Sequence, residues 1–342
     1  MNLLAFFGII YGRIVDLRNY LYDRGVFKSH DLGARTISIG NLTIGGTGKT
    51  PLVALVAAML AENGEKVCIL SRGYGRKNEK LRVLVSDGEA VLADAETAGD
   101  EPVELARKLI GKAIVISNAN RVAAAKWAKE KFGITAFVLD DGFQHLRARR
   151  DLDIVCIDAT NPCGNGRTLP AGILRESLKS VKRADVIVIT RSDQTEQIED
   201  VEARLRKING SIPMFRSTSQ IEHFCLLEEF LAKTQRTQSE IAGPLFAFCG
   251  VGNPDSFFGS LEKAGVELSG KTSFADHHKY HQADLERIES EARRFEAAAV
   301  ITTAKDAVKL KGLKFNVHCY VAVARTEIED FGAFRKLVIA SS

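Results

Sequence analysis

No two of the six cysteines (Cys68, Cys156, Cys163, Cys225, Cys249, Cys319) stand close enough to form a CxxC pair. A local zinc knuckle and a secreted disulfide scaffold are therefore unsupported. Four of the six sit in apolar runs that read as strands, so buried, reduced thiols in a cytosolic protein are expected. An excess of one charge is also missing. Lys and Arg number 47 against 43 Asp and Glu, a net +4, which is too mild to imply a nucleic-acid partner. Long apolar runs are absent. Residues 1–12 carry no charged side chain, but a spanning helix needs about 20 apolar residues. The basic start and small-residue cleavage site of a signal peptide are missing too. A mean hydropathy of −0.05 excludes a polytopic membrane protein. There is no internal repeat and no low-complexity segment.

What is present is ordinary globular material, 45% hydrophobic and 26% charged over 342 residues, enough for two domains at roughly 100–200 residues each. The N-terminus has helical periodicity: Leu3, Phe6, Phe7, Ile10, Ile14, Leu17 and Leu21 share one face, with Gly12, Asp16, Asn19 and Asp23 on the other. Such an amphipathic helix can lie in a membrane surface or pack on its own domain. Five basic against three acidic residues over 13–35 add only a weak pull toward anionic lipid.

From residue 35 the pattern becomes strand, loop, helix, repeated. Apolar strands are predicted at 36–40, 66–71, 82–86, 113–117, 134–139, 153–158 and 185–190, with helices at 51–62, 101–110 and 121–131. Continuous β-branched runs alternating with helices imply a parallel sheet covered on both faces, an α/β fold. The pattern restarts after about residue 211, with strands at 245–249, 298–303 and 317–323 and helices near 255–264 and 282–296. The expected organisation is an N-terminal helix (1–30), a P-loop domain (31–215) and a smaller α/β/α domain (225–342). The join is expected between Pro213 and Gln235.

The sharpest motif is Gly45-Gly46-Thr47-Gly48-Lys49-Thr50, between a strand and a helical run that opens at Pro51. In that context backbone N–H groups and a helix N-terminus cradle phosphates. Lys49 would reach the β and γ phosphates, and Thr50 would place its hydroxyl on Mg²⁺. Pro51 suits the first helical turn, where no N–H is needed. Thr43 stands where the consensus has its first glycine. Asp140-Asp141 closes an apolar strand, a Walker-B arrangement that brings a carboxylate to Mg²⁺ or its waters. Two adjacent like charges suggest that only one is a close metal contact. Gly99-Asp100-Glu101-Pro102 reads as a helix start and equally as a general base that takes a hydroxyl proton. Thr190-Arg191-Ser192-Asp193 is similar to a guanine-reading TKxD element, with Arg191 in place of Lys.

The order of these motifs, with LSRGYGR (70–76), DDGFQH (140–145), RDLDIV (150–155), LPAGILRE (169–176), the Asp276-His277-His278 triplet and TTAKDAVKL (302–310), closely resembles the tetraacyldisaccharide 4′-kinase family, the lipid A 4′-kinases of Gram-negative bacteria. The match runs from about residue 36 to 310. It implies two α/β/α domains around a cleft, ATP and Mg²⁺ as cofactors, and transfer of the γ-phosphoryl group to the 4′-hydroxyl of a tetraacyldisaccharide 1-phosphate. It also implies work at the cytoplasmic face of the inner membrane; a monomer is expected.

The resemblance makes Asp100 the candidate base and His277 the residue that tunes or relays its proton. His277 is preferred to His278, although Ala275 stands where the family often has Pro. Lys49 and Thr50 match the P-loop pair. Asp140 and Asp141 match the acidic pair near Mg²⁺, and Glu101 could join the metal shell. Gln144 and His145 would face the acceptor sugar. Arg72, Tyr74 and Arg76 follow a strand end, where a tyrosine can stack on a sugar and arginines can clamp a phosphate. Arg121 is a similar phosphate candidate. Arg175 and Glu176 belong near the nucleotide or the cleft. Ser177 replaces a usual Pro and Thr168 a usual Leu, which changes loop shape more than chemistry. Lys305 and Asp306 suit an interdomain ion pair or a ligand role.

Three other classes meet the same motifs. A GTPase or ATPase switch or metal-insertion factor would need a metal-ligand cluster, which the chain lacks. A non-catalytic nucleotide module should have lost some of Lys49, Thr50, Asp100 and Asp140. A kinase of a soluble sugar leaves the N-terminal helix unexplained.

Overall fold

The computed structural model describes residues 3–232, 241 and 243–340. Its strands are β1 (Arg35–Asn41), β2 (Val67–Ser71), β3 (Val83–Ser86), β4 (Ala113–Ser117), β5 (Ala136–Asp140), β6 (Leu152–Asp158), β7 (Val186–Thr190), β8 (Met214–Leu226), β9 (Leu245–Cys249), β10 (Leu268–Ser273), β11 (Ala299–Thr303) and β12 (Cys319–Ile328). The helices are α1 (Leu3–Asp23), α2 (Lys49–Glu62), α3 (Ala95–Ala98), α4 (Asp100–Lys108), α5 (Arg121–Phe132), α6 (Ile198–Ile208), α7 (Leu227–Ala232), α8 (Pro254–Lys263), α9 (Gln282–Arg294), α10 (Ala304–Ala307) and α11 (Phe331–Ala340).

Every strand predicted from an apolar run forms. They join one sheet, in the order β10-β9-β11-β12-β8-β7-β6-β1-β5-β2-β4-β3. Strands β1, β2, β4, β5, β6, β7 and β9 are buried along their whole length, apart from the half-buried Arg35 that opens β1, as a sheet covered on both faces requires. Two pairings depart from the all-parallel expectation: β3 runs antiparallel to β4 at the edge, and β8 runs antiparallel to β12. Strands β8 and β10 and helices α6 and α11 carry no long apolar run or phosphate motif and escape the pattern reading. The expected join from Pro213 to Gln235 falls on β8 and α7 and then passes beyond Ala232, outside the described residues.

The β8–β12 pairing decides where the site lies. Thr190 at the end of β7 pairs with Ser217, whereas Thr303 at the end of β11 pairs with Ala322, itself opposite Phe224. The seven residue steps from 217 to 224 span about 23 Å at the usual rise. Because β12 runs against β8, the strands beyond it point back toward the first set. The carboxyl ends of β1, β2, β4, β5 and β7 therefore face those of β9, β10 and β11 across a cleft.

Helix α1 forms as its periodicity predicts, but the apolar face points outward. Leu3 (69% exposed), Leu17 (58% exposed), Phe6, Phe7, Ile10 and Ile14 all face solvent, while Gly8, Val15 and Asn19 are buried. A Cβ on Gly8 would stand 2.8 Å from the Ala171 side chain, so glycine lets the helix dock on the 168–172 loop. The Thr168 hydroxyl donates to the Gly8 carbonyl (2.7 Å) and the Asn19 amide donates to Glu176 (2.9 Å). Among the described residues no helix is long and apolar enough to cross a membrane. All six cysteines are free and buried, which agrees with the thiol expectation.

Helix α11 seals the core over α2. Phe334 is fully buried and meets Phe215 edge-on at 5.3 Å. Phe334→Ala is expected to cost about 3–5 kcal/mol of stability. Urea unfolding measures this, and a loss below 1 kcal/mol would show that α11 contributes little to the core.

Candidate active site

The cleft holds a cavity of about 890 Å³ lined by Gly45, Gly46, Thr47, Gly48, Lys49 and Thr50 on one side and by Asp276, His277 and Lys305 on the other. Strand β1 delivers the phosphate loop, and α2 begins at Lys49 with no side-chain cap. Its first N–H groups are thus free for a phosphate. The Asn41 amide donates to the Thr47 hydroxyl (2.8 Å), and the Ile44 N–H donates to the Ile173 carbonyl (2.8 Å). Thr43, the departure from the glycine consensus, is buried and bridged to Leu174. The 169–176 loop therefore holds the first turn that a glycine would otherwise shape.

Strand β5 sits beside β1, with Asp140 opposite Ile39. Asp141 follows with φ 50° and lies between two cations, Lys49 Nζ at 3.4 Å and Arg175 at 2.7 Å. Burial raises its carboxyl pKa, but Lys49 and Arg175 outweigh that and hold it well below the usual range. Asp140 is pushed the other way, by burial first and then by the charges of Glu101 and Asp141. One of its oxygens accepts from Ser71 (2.8 Å). The other is buried with no donor, and Asp141 Oδ1 has none either.

Those two oxygens, the second of them ion-paired with Lys49 at 3.4 Å, and the Thr50 hydroxyl are hard donors of the kind Mg²⁺ takes, and they suit it. Among the described residues no group of three or more His, Cys, Asp or Glu is arranged to hold a metal unaided. Mg²⁺ at a phosphate loop draws most of its ligands from phosphates and water. Glu101 lines the cavity but stands 3.7 Å from Lys305.

Asp100 opens α4 and is buried. Its Oδ2 lies 2.9 Å from His277 Nδ1, and its Oδ1 accepts from the Glu101 N–H (3.0 Å). Burial raises the carboxyl, but the His277 bond and the Lys305 charge bring it down to about 2. The same bond raises His277, which sits at φ 60° and lines the cavity, with Asp100 behind it. The structure thus brings the GDEP aspartate to the first histidine of the triplet. His278 turns away, bonding Asp284 (3.1 Å) and stacking on Phe274. Lys305 joins the two halves through Glu101 (3.7 Å) and Asp276 (3.1 Å). Asp306 is fully buried, accepting from Gly250 N–H and Thr303.

Of the expected acceptor-side residues, Arg72, Tyr74, Arg121, Gln144 and His145 line the cavity. Arg72 lies over the Tyr74 ring at 4.9 Å. Arg121 is buried and donates to the carbonyls of Asp140 (2.6 Å) and Asp141 (3.2 Å), so it braces the acidic turn. His145 is pushed down to about 3 by burial and by Arg121, Arg150, Arg147 and Arg18; its imidazole is neutral, and its Nε2 is buried without a partner. Two expectations change. Arg76 does not line the cavity; its guanidinium donates to the carbonyls of Ser117 (3.3 Å) and Glu79 (2.6 Å). Glu176, expected near the nucleotide or the cleft, is buried behind the wall, where it accepts from Asn19, Gln144 (2.7 Å) and Arg183 (2.9 Å).

Sequence reasoning missed several lining residues. Glu104 lies one turn beyond Glu101, and desolvation pushes its carboxyl up to about 7. The i, i+3 spacing along α4 was the available signal. Tyr11, Val15 and Arg18 of α1 also line the cavity. Arg191 lines it as well, while Asp193 of the same motif pairs with Lys263 (2.5 Å).

The Asp100–His277 bond yields a titration prediction. Asp100 contributes stability above its unfolded value of 3.8, lost as pH falls toward 2. His277 contributes below its unfolded value of 6.5, lost as pH rises through its folded value. The pair therefore stabilises most between about pH 4 and 6.5. In Asp100→Asn the His277 pKa is expected to fall, as read by NMR of the imidazole C–H; an unchanged midpoint would contradict the pairing.

A family model described as tetraacyldisaccharide-1-P 4′-kinase matches residues 1–341. The chain is 42% identical to the tetraacyldisaccharide 4′-kinase of Geobacter metallireducens over 310 residues, covering 91% of this chain and 88% of that one. It is 40% identical to the enzyme of the same name from Desulfotalea psychrophila over 325 residues, covering 94% and 92%. The solved structure of "apo" form LpxK from Aquifex aeolicus in complex with ATP is similar with a TM-score of 0.76 and 31% identity, covering 98% of this chain and 97% of that one.

Proposed function

The chain belongs to the tetraacyldisaccharide-1-phosphate 4′-kinase family, and from that premise we propose how its residues carry out the reaction. The activity is ATP-dependent phosphorylation of the 4′-hydroxyl of a tetraacyldisaccharide 1-phosphate in lipid A biosynthesis. Phosphoryl transfer passes through a loose transition state, so positioning and charge neutralisation matter more than covalent help. Lys49 and the loop amides Gly45–Thr50 bind the ATP phosphates and offset the charge that develops on the transferred group. Arg175 holds Asp141 in place beside Lys49. When bound, Mg²⁺ neutralises phosphate charge, and Thr50, Asp140 and Asp141 are the residues that would hold it or its waters, with Glu101 further out.

The observation that carries the mechanism is the 2.9 Å Asp100–His277 bond, which joins the Lys49 side of the cleft to the opposite wall. The acceptor proton leaves late through this pair. A carboxylate held near 2 is a weak base, which suits a step that needs little base help until the bond has formed. On the acceptor side Tyr74 stacks on the sugar and Arg72 meets its phosphate. Gln144 and the neutral His145 bond its hydroxyl groups. Residues 31–215, with α11 packed on them, bind nucleotide, and the unit built on β9, β10 and β11 closes over it and excludes water, which protects ATP from hydrolysis.

The outward apolar face of α1 lies in the membrane surface, at the cytoplasmic face of the inner membrane. Tyr11, Val15 and Arg18 of that helix line the cavity, so one helix joins the lipid layer to the acceptor end of the site. A soluble-sugar kinase would leave that face without a role. The enzyme works as a monomer.

Transfer of radiolabel from ATP to tetraacyldisaccharide 1-phosphate in detergent tests the mechanism. Asp100→Ala is expected to lower kcat by roughly 10²–10⁴-fold, and Lys49→Ala to lower turnover strongly, in both cases with the fold kept. A near-wild-type rate in either would sink that role. Deleting residues 1–21 is expected to reduce flotation with vesicles; unchanged flotation would remove α1 from the membrane contact.

A further inference from the structure

The motif Thr190-Arg191-Ser192-Asp193 plays no part in the reaction as proposed above, yet its first two residues grip the phosphate loop. Arg191 stands at φ 54°, with its guanidinium largely buried and fully engaged. Nη2 donates to the Gly46 carbonyl (2.7 Å), Nε donates to the Ser256 hydroxyl (2.9 Å), and Nη1 pairs with the Asp158 carboxylate. The Thr190 hydroxyl donates to the next loop carbonyl, that of Thr47 (2.9 Å). Two successive carbonyls of the loop are thus pinned from the end of β7.

A trans peptide points its C=O and the following N–H in opposite directions. Holding the carbonyls of Gly46 and Thr47 toward β7 therefore sends the N–H groups of Thr47 and Gly48 to the other side. Those are amides that a phosphate loop presents to its ligand.

The third partner makes the grip more than a local brace. Ser256 lies in the first turn of α8, in the second unit of the fold. The loop before α8 rests directly on the phosphate loop, so that a Cβ on Gly252 would collide with the Gly46 backbone nitrogen. One planar guanidinium therefore connects the docking of α8 to the orientation of the Thr47 and Gly48 amides. We propose that Arg191 is a positioning residue that couples α8 of the second unit to the phosphate-binding amides, so that nucleotide affinity depends on α8 being docked. The inference rests on the nucleotide half of the proposed function and is independent of the lipid acceptor.

ATP binding to the full chain, measured by calorimetry with Mg²⁺ and no lipid, tests it. Lysine keeps the charge beside Asp158 but lacks the fork that reaches Gly46 and Ser256 together. Arg191→Lys is expected to weaken ATP binding about ten-fold, and Ser256→Ala a few-fold. The double variant should bind no more weakly than Arg191→Lys alone, because both changes break one link. In turnover, KM for ATP should rise while KM for the lipid stays put. ATP affinity in Arg191→Lys within two-fold of wild type would overturn the coupling. So would additive losses in the double variant, or equal rises in both KM values with a lowered melting temperature, the signature of a purely structural role. A wild-type chain that binds no ATP would sink the kinase reading along with this one.

Discussion

The antiparallel pairing of β8 with β12 is the constraint on which the rest depends. Parallel strands present all their carboxyl ends on one edge, and ligands collect there. A longer parallel sheet would only have extended that edge. Here a single reversed pair turns the second set of strands around, and the length of the ribbon sets it off from the first. Two carboxyl edges then face each other, and their loops meet: Gly46 with Gly252, Asp100 with His277, Glu101 with Lys305. The ribbon lines the floor of the cleft through Ser217, Thr218, Ile221, Ala322, Val323, Ala324 and Thr326.

The charges in the cleft follow from that arrangement. Burying an ionised group is unfavourable unless partners and hydrogen bonds offset it, and the carboxylates here find partners from another strand end. Asp141 has Lys49 and Arg175, Asp158 has Arg191, and Asp100 has His277 with Lys305 nearby. Asp140 is the exception: it is buried beside two other acids, and one of its oxygens has no donor. An acceptor left open at the end of β5, next to the phosphate loop, is where a cation adds most.

Much of this was legible in the chain. The apolar runs that became β1, β2, β4–β7 and β9 are continuous because both faces of a covered sheet are dry. The phosphate loop and the Asp140-Asp141 turn are local, since a few adjacent residues shape a strand end and a helix start. Arg76 and Glu176 were less legible. Each belongs to a motif that borders the site, and a one-dimensional pattern does not say which members of a motif face the ligand and which hold the turn together. Arg191 was hard to place for the same reason. Its neighbours suggested a base reader, while its side chain is taken up by a carbonyl 145 residues away in sequence.

The sequence by itself determined the elements, the phosphate loop and the chemical types available, because these depend on periodicity and on neighbours within one turn. It also determined that α1 has an apolar face. Only the tertiary structure decided that this face points outward, since that follows from the small and polar side of the helix docking on Thr168, Ala171 and Glu176. The motif resemblance already preferred His277 to His278, but only the tertiary structure brought His277 to Asp100, because the distance across the cleft is set by how two sets of strands are joined, and no local pattern encodes that.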